Sequence, residues 1–387
     1  MDAVPTEQIV TAKPASDVMP VIYVWGRREG QVGKATTASE GAVSYSDYSL
    51  RPLLRPGELA EVVPGLAATQ HSGEGKANQY FLRGFNLDHG TDFSISLDGV
   101  PLNLRTNAHG QGYLDINPIT PELIAAIAYR KGTYAADSGD FSAAGTAAFT
   151  SQAHLRRSLV QVQAGGDGFA RVVAAGRLND DGYVAIDTQR NDGPWTTAEN
   201  LHKLTLQAHY RLGDWQLNGL AYQASWNSAD QIPQRAVTSG VLSYLGVVDP
   251  SDGGKTRRII LSVRQRTDDA DLVVYAQAYR LNLWSDFTYF LDDPEHGDQF
   301  EQAEQRTILG GSYQRHWTMS PRLSLAAGGD VRHDDIGHRS LRHPSAPTPG
   351  DAPRRRCHSD LGGGVEPGRL AVRSCARQPG PASRLFA

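Results

Sequence analysis

A helix that could cross a membrane is the first thing this sequence lacks. Its apolar runs are short, such as 123–128 (LIAAIA), whereas a spanning helix needs about 18–20 consecutive apolar residues. If the chain meets a bilayer, it must do so as strands of a barrel, because in lipid every backbone N–H and C=O needs an internal partner. Cysteine is almost absent. The two present, Cys357 and Cys375, lie near the C-terminal end, and the first 356 residues contain none. A disulfide between them is open to a periplasmic protein; incidental thiols in an atypical tail are the plainer reading. No charge of one sign dominates: 38 Lys and Arg stand against 42 Asp and Glu, a net charge of −4. A nucleic-acid protein needs a basic stripe, so nucleic acid is not an expected partner. There is no phosphate loop, no Cys-x-x-Cys pair and no nucleophile elbow, and nothing calls for a cofactor or a catalytic role. The opening MDAVPTEQIVTAKP lacks a basic region followed by an apolar core, so it is not a secretory signal peptide. For an exported protein the expectation is then a start placed further upstream.

At 387 residues more than one domain is expected. Residues 1–45 read as a mobile leader broken by Pro5, Pro14 and Pro20, with two β-prone runs, 8–12 and 21–26. Residues 46–150 mix short strands, one or two helices and turns. A helix over 57–63 (GELAEVV) stops before Pro64-Gly65. Strands follow over 79–83 and 93–97, with Asp98-Gly99 as a tight-turn pair. A helix over 121–127 has Pro121 first and Glu122 in its first turn, and 129–131 returns as a strand. The sum is a small α+β domain.

After 151 the texture changes to segments of nine to thirteen residues in which apolar and polar residues alternate. Leu204, Leu206, Ala208 and Tyr210 oppose Lys203, Thr205, Gln207 and His209; Trp215 and Leu217 oppose Gln216 and Asn218; Tyr279, Leu281 and Leu283 oppose Arg280 and Asn282. This is the dyad of a transmembrane barrel, apolar to lipid and polar to lumen, and five of the six tryptophans lie between 195 and 317, where interface girdles would use them. A soluble sandwich also alternates, but its strands are usually only about five or six residues long. The gaps 226–256 and 288–305 read as long loops at one end, with short turns at the other. Alternation stops near Gly337. The last 49 residues carry seven of the 21 prolines and nine arginines, a density no ladder accepts. Residues 338–387 are therefore expected to be an aberrant, out-of-frame tail; a disordered tail is the alternative.

Four short motifs stand in series: Val63-Pro64-Gly65-Leu66, Arg83-Gly84-Phe85, Leu97-Asp98-Gly99-Val100-Pro101 and Ile127-Ala128-Tyr129-Arg130-Lys131-Gly132. In this order and spacing they resemble the plug domain of TonB-dependent outer-membrane receptors. That family's pattern is a helix ending at Pro-Gly-Val, a strand carrying Arg-Gly, a strand-turn with Asp-Gly-Val-Pro and a strand ending in Arg-Gly. Each motif alone is weak; the series over about seventy residues is specific. Arg130-Lys131-Gly132-Thr133 departs from the usual Arg-Gly-Pro, and 137–145 (DSGDFSAAG) stands where the family has Tyr-Gly and a Gly-rich run.

The resemblance implies an α+β plug at 46–150 followed by part of a transmembrane antiparallel β-barrel at 151–337, about ten strands of some 22 in the intact family. A half barrel cannot close, so an incomplete, non-transporting form is expected. It implies a bacterial outer-membrane location, lipid contact and coupling to TonB with ExbB and ExbD. The coupling strand, which needs only extended backbone for strand pairing, is expected at Val21, Ile22, Tyr23, Val24 and Trp25, with 8–12 as the other candidate.

The implied function is energised uptake of a scarce nutrient, a ferric siderophore or other metal chelate first, with cobalamin, haem or an oligosaccharide still open. A plug-only periplasmic ligand- or partner-binding module is the alternative, and a β-rich hydrolase using Asp and His of the 88–109 loops a third reading. His71, Asp88, His89, His109, Gln111 and Tyr113 lie in Gly-flanked polar loops and are expected at the plug apex. With Glu74 and Asp92 nearby they could meet a metal, although their spacing is not that of a metal site and hydrogen-bonded loop histidines are the simpler reading. Pro64, Gly65, Gly84 and Gly99 are expected to be structural, as is Arg83, an internal guanidinium that would need Asp98 or Asp92 as partner.

Overall fold

The computed structural model describes residues 37–51, 53–291, 293–295, 297, 299–320, 323–342, 355–357 and 373–376. The N-terminal unit begins with β1 (Glu40–Ser44) and a single turn, α1 (Tyr45–Tyr48). A 3-10 segment at Pro56–Val62 precedes β2 (Leu66–Thr69), β3 (Gln79–Leu82) and β4 (Phe85–Asn86), which form a small antiparallel sheet. The strands β5 (Phe93–Leu97), β6 (Val100–Pro101), β7 (Ile124–Lys131) and β8 (Gly145–Ser151) join β1 in a second sheet, ordered β1-β7-β8-β5-β6. Its β5–β8 pair is parallel. In β5 the FSISL alternation buries Phe93, Ile95 and Leu97, as a strand with one face on a core should. Asp98 and Gly99 both take positive φ, 51° and 87°, the two-residue hairpin geometry that suits this pair.

The helix expected over 121–127 is only a 3-10 turn, Pro121–Leu123. From Ile124 the chain is β7, where Ile127 pairs with Val43 on one side and Phe149 on the other. Two-sided strand pairing of a β-branched residue outweighs the local helix-start signal.

Nine strands follow as an uninterrupted antiparallel meander: β9 (Leu159–Ala164), β10 (Ala170–Asn179), β11 (Gly182–Asn191), β12 (Leu201–Leu212), β13 (Trp215–Asn227), β14 (Gly253–Arg266), β15 (Ala270–Ser285), β16 (Phe300–Ser320) and β17 (Leu323–Arg342). Two short pieces, β18 (Arg355–Cys357) and β19 (Arg373–Ala376), pair with β17. Strand β17 thus runs five residues past Gly337, where the alternation was expected to end. The sheet does not close among the described residues; β9 is its other edge.

This wall is polar inside and apolar outside. On β12, Lys203, Thr205, Gln207 and His209 are buried toward the N-terminal unit while Leu206 is exposed. Val162, Val172, Ile186, Leu206, Leu217, Leu261, Val274 and Leu309 all lie outward, and ladder pairs such as Ile186↔Leu206 and Val263↔Val274 make them one belt. On β15 the sense inverts: Tyr279, Leu281 and Leu283 are buried and Arg280 is outward. With Val273 and Tyr275 earlier on the strand, this apolar row packs on the core that the two units share. Among the described residues no helix is long and apolar enough to cross a membrane.

The long connections, 228–252 with α2 (Gln234–Thr238) and 286–299, leave the end of the wall opposite the short turns at 213–214 and 267–269.

Candidate functional site

Three loops of the N-terminal unit converge beneath the long connections, and each carries one histidine. The His71 and His89 rings have centroids 5.3 Å apart, and His89 and His109 are 4.9 Å apart. Phe287, from the connection after β15, stacks on His109 at 6.5 Å and 18°. His89 is fully buried, with Nδ1 3.0 and 3.1 Å from the Ala77 and Asn78 carbonyl oxygens. His109 Nδ1 lies 2.9 Å from Gln302 Oε1 on β16. The two Nε2 atoms face each other at 3.2 Å.

Burial, then the charge of Lys76, holds all three histidines below their ordinary pKa. Lys76 is itself buried, and burial lowers its ammonium to about 8. The apex is therefore a cluster of neutral imidazoles beside one buried cation, with Asp88 Oδ1 3.8 Å from His89 Nε2. Among the described residues no group of three or more His, Cys, Asp or Glu side chains is arranged to hold a metal ion. A cavity of about 690 Å³ lies elsewhere, between the larger N-terminal sheet and β15–β17, and includes Arg105, Arg130, Asp140 and Arg332 in its lining.

The other expected apex residues divide. Asp88 and Gln111 are exposed. Tyr113 is buried, its hydroxyl accepting from Ala77 N at 3.0 Å, so it supports the apex from within the core. Pro64 and Gly65 form an exposed turn, Gly65 at φ 85°. Arg83 corrects an expectation. It is exposed, not internal, at φ 53° beside Gly84 at 84°, and its backbone N–H donates to Gly65 O. The turn between β3 and β4 needs two left-handed residues and places the guanidinium in solvent, so no buried carboxylate is required. Asp98 accepts instead from Ser151 N at 2.8 Å and Ser151 Oγ at 2.6 Å. The expected coupling strand, Val21 to Trp25, lies outside the described residues.

Sequence reasoning missed the contacts that seat the N-terminal unit in the wall. Arg171 on β10 makes paired bonds to Glu122 (2.7 and 2.8 Å) and to Asp187 on β11 (3.0 and 2.8 Å). Thr120 donates to the same Asp187, and Lys203 Nζ stands 3.9 Å away. Near the apex, Trp226 lies flat against Gly73 and Gly75, where any Cβ would fall inside the indole. Glu74 N donates to Glu199, and Gln189 donates to Glu74. The only sequence signal for these partners was their type: polar residues on an alternating strand whose apolar row faces outward.

Residues 33–146 match the model of the TonB-dependent receptor plug domain. None of the curated proteins matches the sequence. Among solved structures, the chain resembles the unliganded ferric citrate transporter FecA (TM-score 0.62, 14% identity, 82% of this chain and 50% of that one). It also resembles the copper transporter OprC (0.55, 16%, 79% and 47%) and a mutant of the ferric enterobactin receptor PfeA of Pseudomonas aeruginosa (0.53, 13%, 79% and 50%). At these identities the likeness is one of fold, and the chain spans about half the length of each receptor. Plug motifs, a polar-lined open barrel wall and these matches agree: the chain carries a TonB-dependent receptor plug domain, and its fold is that of the plug and part of the surrounding β-barrel of such receptors.

Proposed function

We propose that the protein is the ligand-seating portion of an outer-membrane receptor that takes up a metal chelate by TonB-energised transport. The observation that carries this is the histidine apex: three imidazoles presented by the plug at the long-loop end of the wall, closed over by Phe287. Imidazole suits borderline transition metals, and a seat at that end meets a solute arriving from outside. Nothing here calls for covalent chemistry; ligand binds, the plug shifts, and a strand on the other side becomes available to the coupling protein. In this reading residues 21–25 form that strand, pairing with TonB through main-chain bonds alone.

The apolar belt supports an outer-membrane setting, since outward Val, Ile and Leu opposite a polar lumen row is the arrangement lipid demands. Conduction needs a closed wall, because an open sheet edge in lipid leaves backbone groups unpaired. The described strands supply the first part of one. The test is fractionation of cells expressing the full chain, followed by TonB binding. Outer-membrane recovery with heat-modifiable migration, and binding of the TonB C-terminal domain that is lost on replacing Tyr23 by Pro, are expected. A soluble, protease-resistant fragment ending near residue 150 would instead favour a periplasmic binding module.

A further inference from the structure

The hydrogen bonds around His89 and His109 fix where their protons are. His89 Nδ1 faces two carbonyl oxygens, Ala77 O and Asn78 O, so it must carry hydrogen and donate. Gln302 donates through Nε2 to Ala108 O at 2.6 Å. This orients its amide and turns Oε1, an acceptor, toward His109 Nδ1 at 2.9 Å. His109 Nδ1 therefore donates as well. In a neutral imidazole the second nitrogen then carries a lone pair, and these two acceptor nitrogens stand 3.2 Å apart with the rings inclined at 60°. Left empty, that arrangement is repulsive; something positive belongs between them.

A shared proton is one candidate, and nitrogen-15 NMR of the copper-free protein distinguishes it. The separation suits another occupant. Two nitrogens each about 2.0–2.1 Å from one tetrahedral ion stand about 3.3 Å apart. We propose that His89 Nε2 and His109 Nε2 are a preformed two-nitrogen seat for a divalent transition-metal ion of the copper, nickel or zinc kind, delivered in a chelate that leaves at least two coordination positions open.

This rests on the uptake reading for taking the apex as the substrate's seat, and it narrows the substrate. A chelator that saturates its metal leaves no position for imidazole and would have to bind by its periphery. With only two protein nitrogens, the remaining ligands come from the chelator or water, which also lets the ion leave again. Exposed Asp88, 3.8 Å from His89 Nε2, supplies negative charge on the open side, against the buried Lys76 ammonium. Gln302 and the Ala77 and Asn78 carbonyls hold the rings through their other nitrogens, as outer partners commonly do for metal-bound histidine.

The test is electron paramagnetic resonance of copper(II) added at one equivalent to the detergent-solubilised full chain, with affinity from competition against a weak chelator. One ion per chain is expected, with superhyperfine splitting from two nitrogens. His109→Asn should remove one nitrogen and weaken binding at least tenfold, whereas His202→Ala, exposed on the wall away from the apex, should leave the two-nitrogen spectrum intact. Because His89 also ties down two carbonyls, His109→Asn is the deciding variant, with circular dichroism confirming its fold. A wild-type spectrum showing no nitrogen, or one unchanged in His109→Asn, would overturn the inference. So would a proton found between the rings by nitrogen-15 NMR in copper-free protein that copper does not displace. The TonB-binding test is independent: copper ligation without TonB pairing would refute the receptor reading alone, and TonB pairing without ligation would refute the metal seat alone.

Discussion

Replacing Glu122 by Gln should loosen the plug from the wall by about 3–5 kcal/mol, the usual cost of removing one partner from a buried ion pair. The estimate follows from the charge balance at that site. Arg171 and Lys203 face Glu122 and Asp187, two cations and two carboxylates, and Arg171, Asp187 and Lys203 are at most 6% exposed. Lys203 Nζ makes no hydrogen bond and relies on the field of Asp187 at 3.9 Å. Glutamine keeps the shape and one acceptor but removes a charge, leaving a net +1 where water does not reach. At about 1.4 kcal/mol per tenfold, the released state should gain about a hundred- to several-thousand-fold in population. Trp226 offers the readout, since its indole lies on Gly73 and Gly75 of the plug and becomes solvated when the plug leaves. Urea titration followed by tryptophan emission, with Trp226→Phe identifying the signal, should show an early transition in Glu122→Gln that the parent lacks. The double variant Glu122→Gln with Arg171→Met should recover much of the loss, because it removes the stranded charge too. Coincident transitions in parent and Glu122→Gln would refute the reasoning.

Three further outcomes follow from the same interface and from the belt. Gly75→Val places a side chain inside the Trp226 indole and should destabilise plug docking by about 1–3 kcal/mol, with Trp226→Ala partly restoring the urea midpoint. Glu199 is raised to about 7, by burial first and by the like charge of Glu74. Its folded state binds the extra proton between pH 4.5 and 7, so docking should weaken as pH rises through that window. Glu199→Gln should flatten the profile and gain up to about 3 kcal/mol at pH 8, as read from urea midpoints at several pH values. Leu261→Arg, on the outward row, should cost about 2–4 kcal/mol of folding into liposomes if it sits near mid-bilayer, while Lys255→Ala on the exposed row above should cost little.

The sequence was most legible where the signal is local and periodic. Alternation located the wall strands, and the polar row of β12 faces inward as that alternation requires. Turn chemistry placed Asp98-Gly99. It failed where a partner distant in sequence decides. Pro121 and Glu122 signal a helix start, yet Ile124 and Ile127 are claimed by β1 and β8. Arg83 was expected to be internal because the Arg-Gly strand of the resembled family is internal to the plug, but two positive-φ residues reverse the chain there and turn it out. Tyr279, Leu281 and Leu283 alternate as a lipid-facing row would, and nothing in the pattern reveals which side faces lipid. The three histidines share only a Gly-rich setting; that they meet depends on loops 18 and 20 residues apart folding onto one another, and the partner of His109, Gln302, lies 193 residues on.

The way the wall grips the plug bears on how the plug could let go. Along the strap 101–108, wall side chains chiefly take the plug's backbone, with Arg306 also donating to the Thr106 hydroxyl at 3.1 Å. Gln277 donates to Pro101 O at 3.1 Å, Arg258 to Leu102 O at 2.8 Å, Arg332 to Asn103 O at 2.9 Å, Arg306 to Thr106 O and Gln302 to Ala108 O at 2.6 Å, while Glu304 accepts from Ala108 N at 2.7 Å. Each bond can be exchanged for one with water, so its net worth is only about 0.5–1.5 kcal/mol, rising to about 3 when a charge takes part. The same area sealed by apolar side chains would release no compensating bonds on opening and would cost about 25 cal/mol for every Å² re-exposed. A polar, backbone-directed seam is therefore specific when dry and yields in steps once water enters. Its last bond, Gln302 to Ala108, uses the same amide that orients His109. An ion drawn between His89 and His109 would pull on Gln302 and hence on the end of the strap, so the first place to yield on ligand binding should be Ala108, not the Glu122–Arg171 latch.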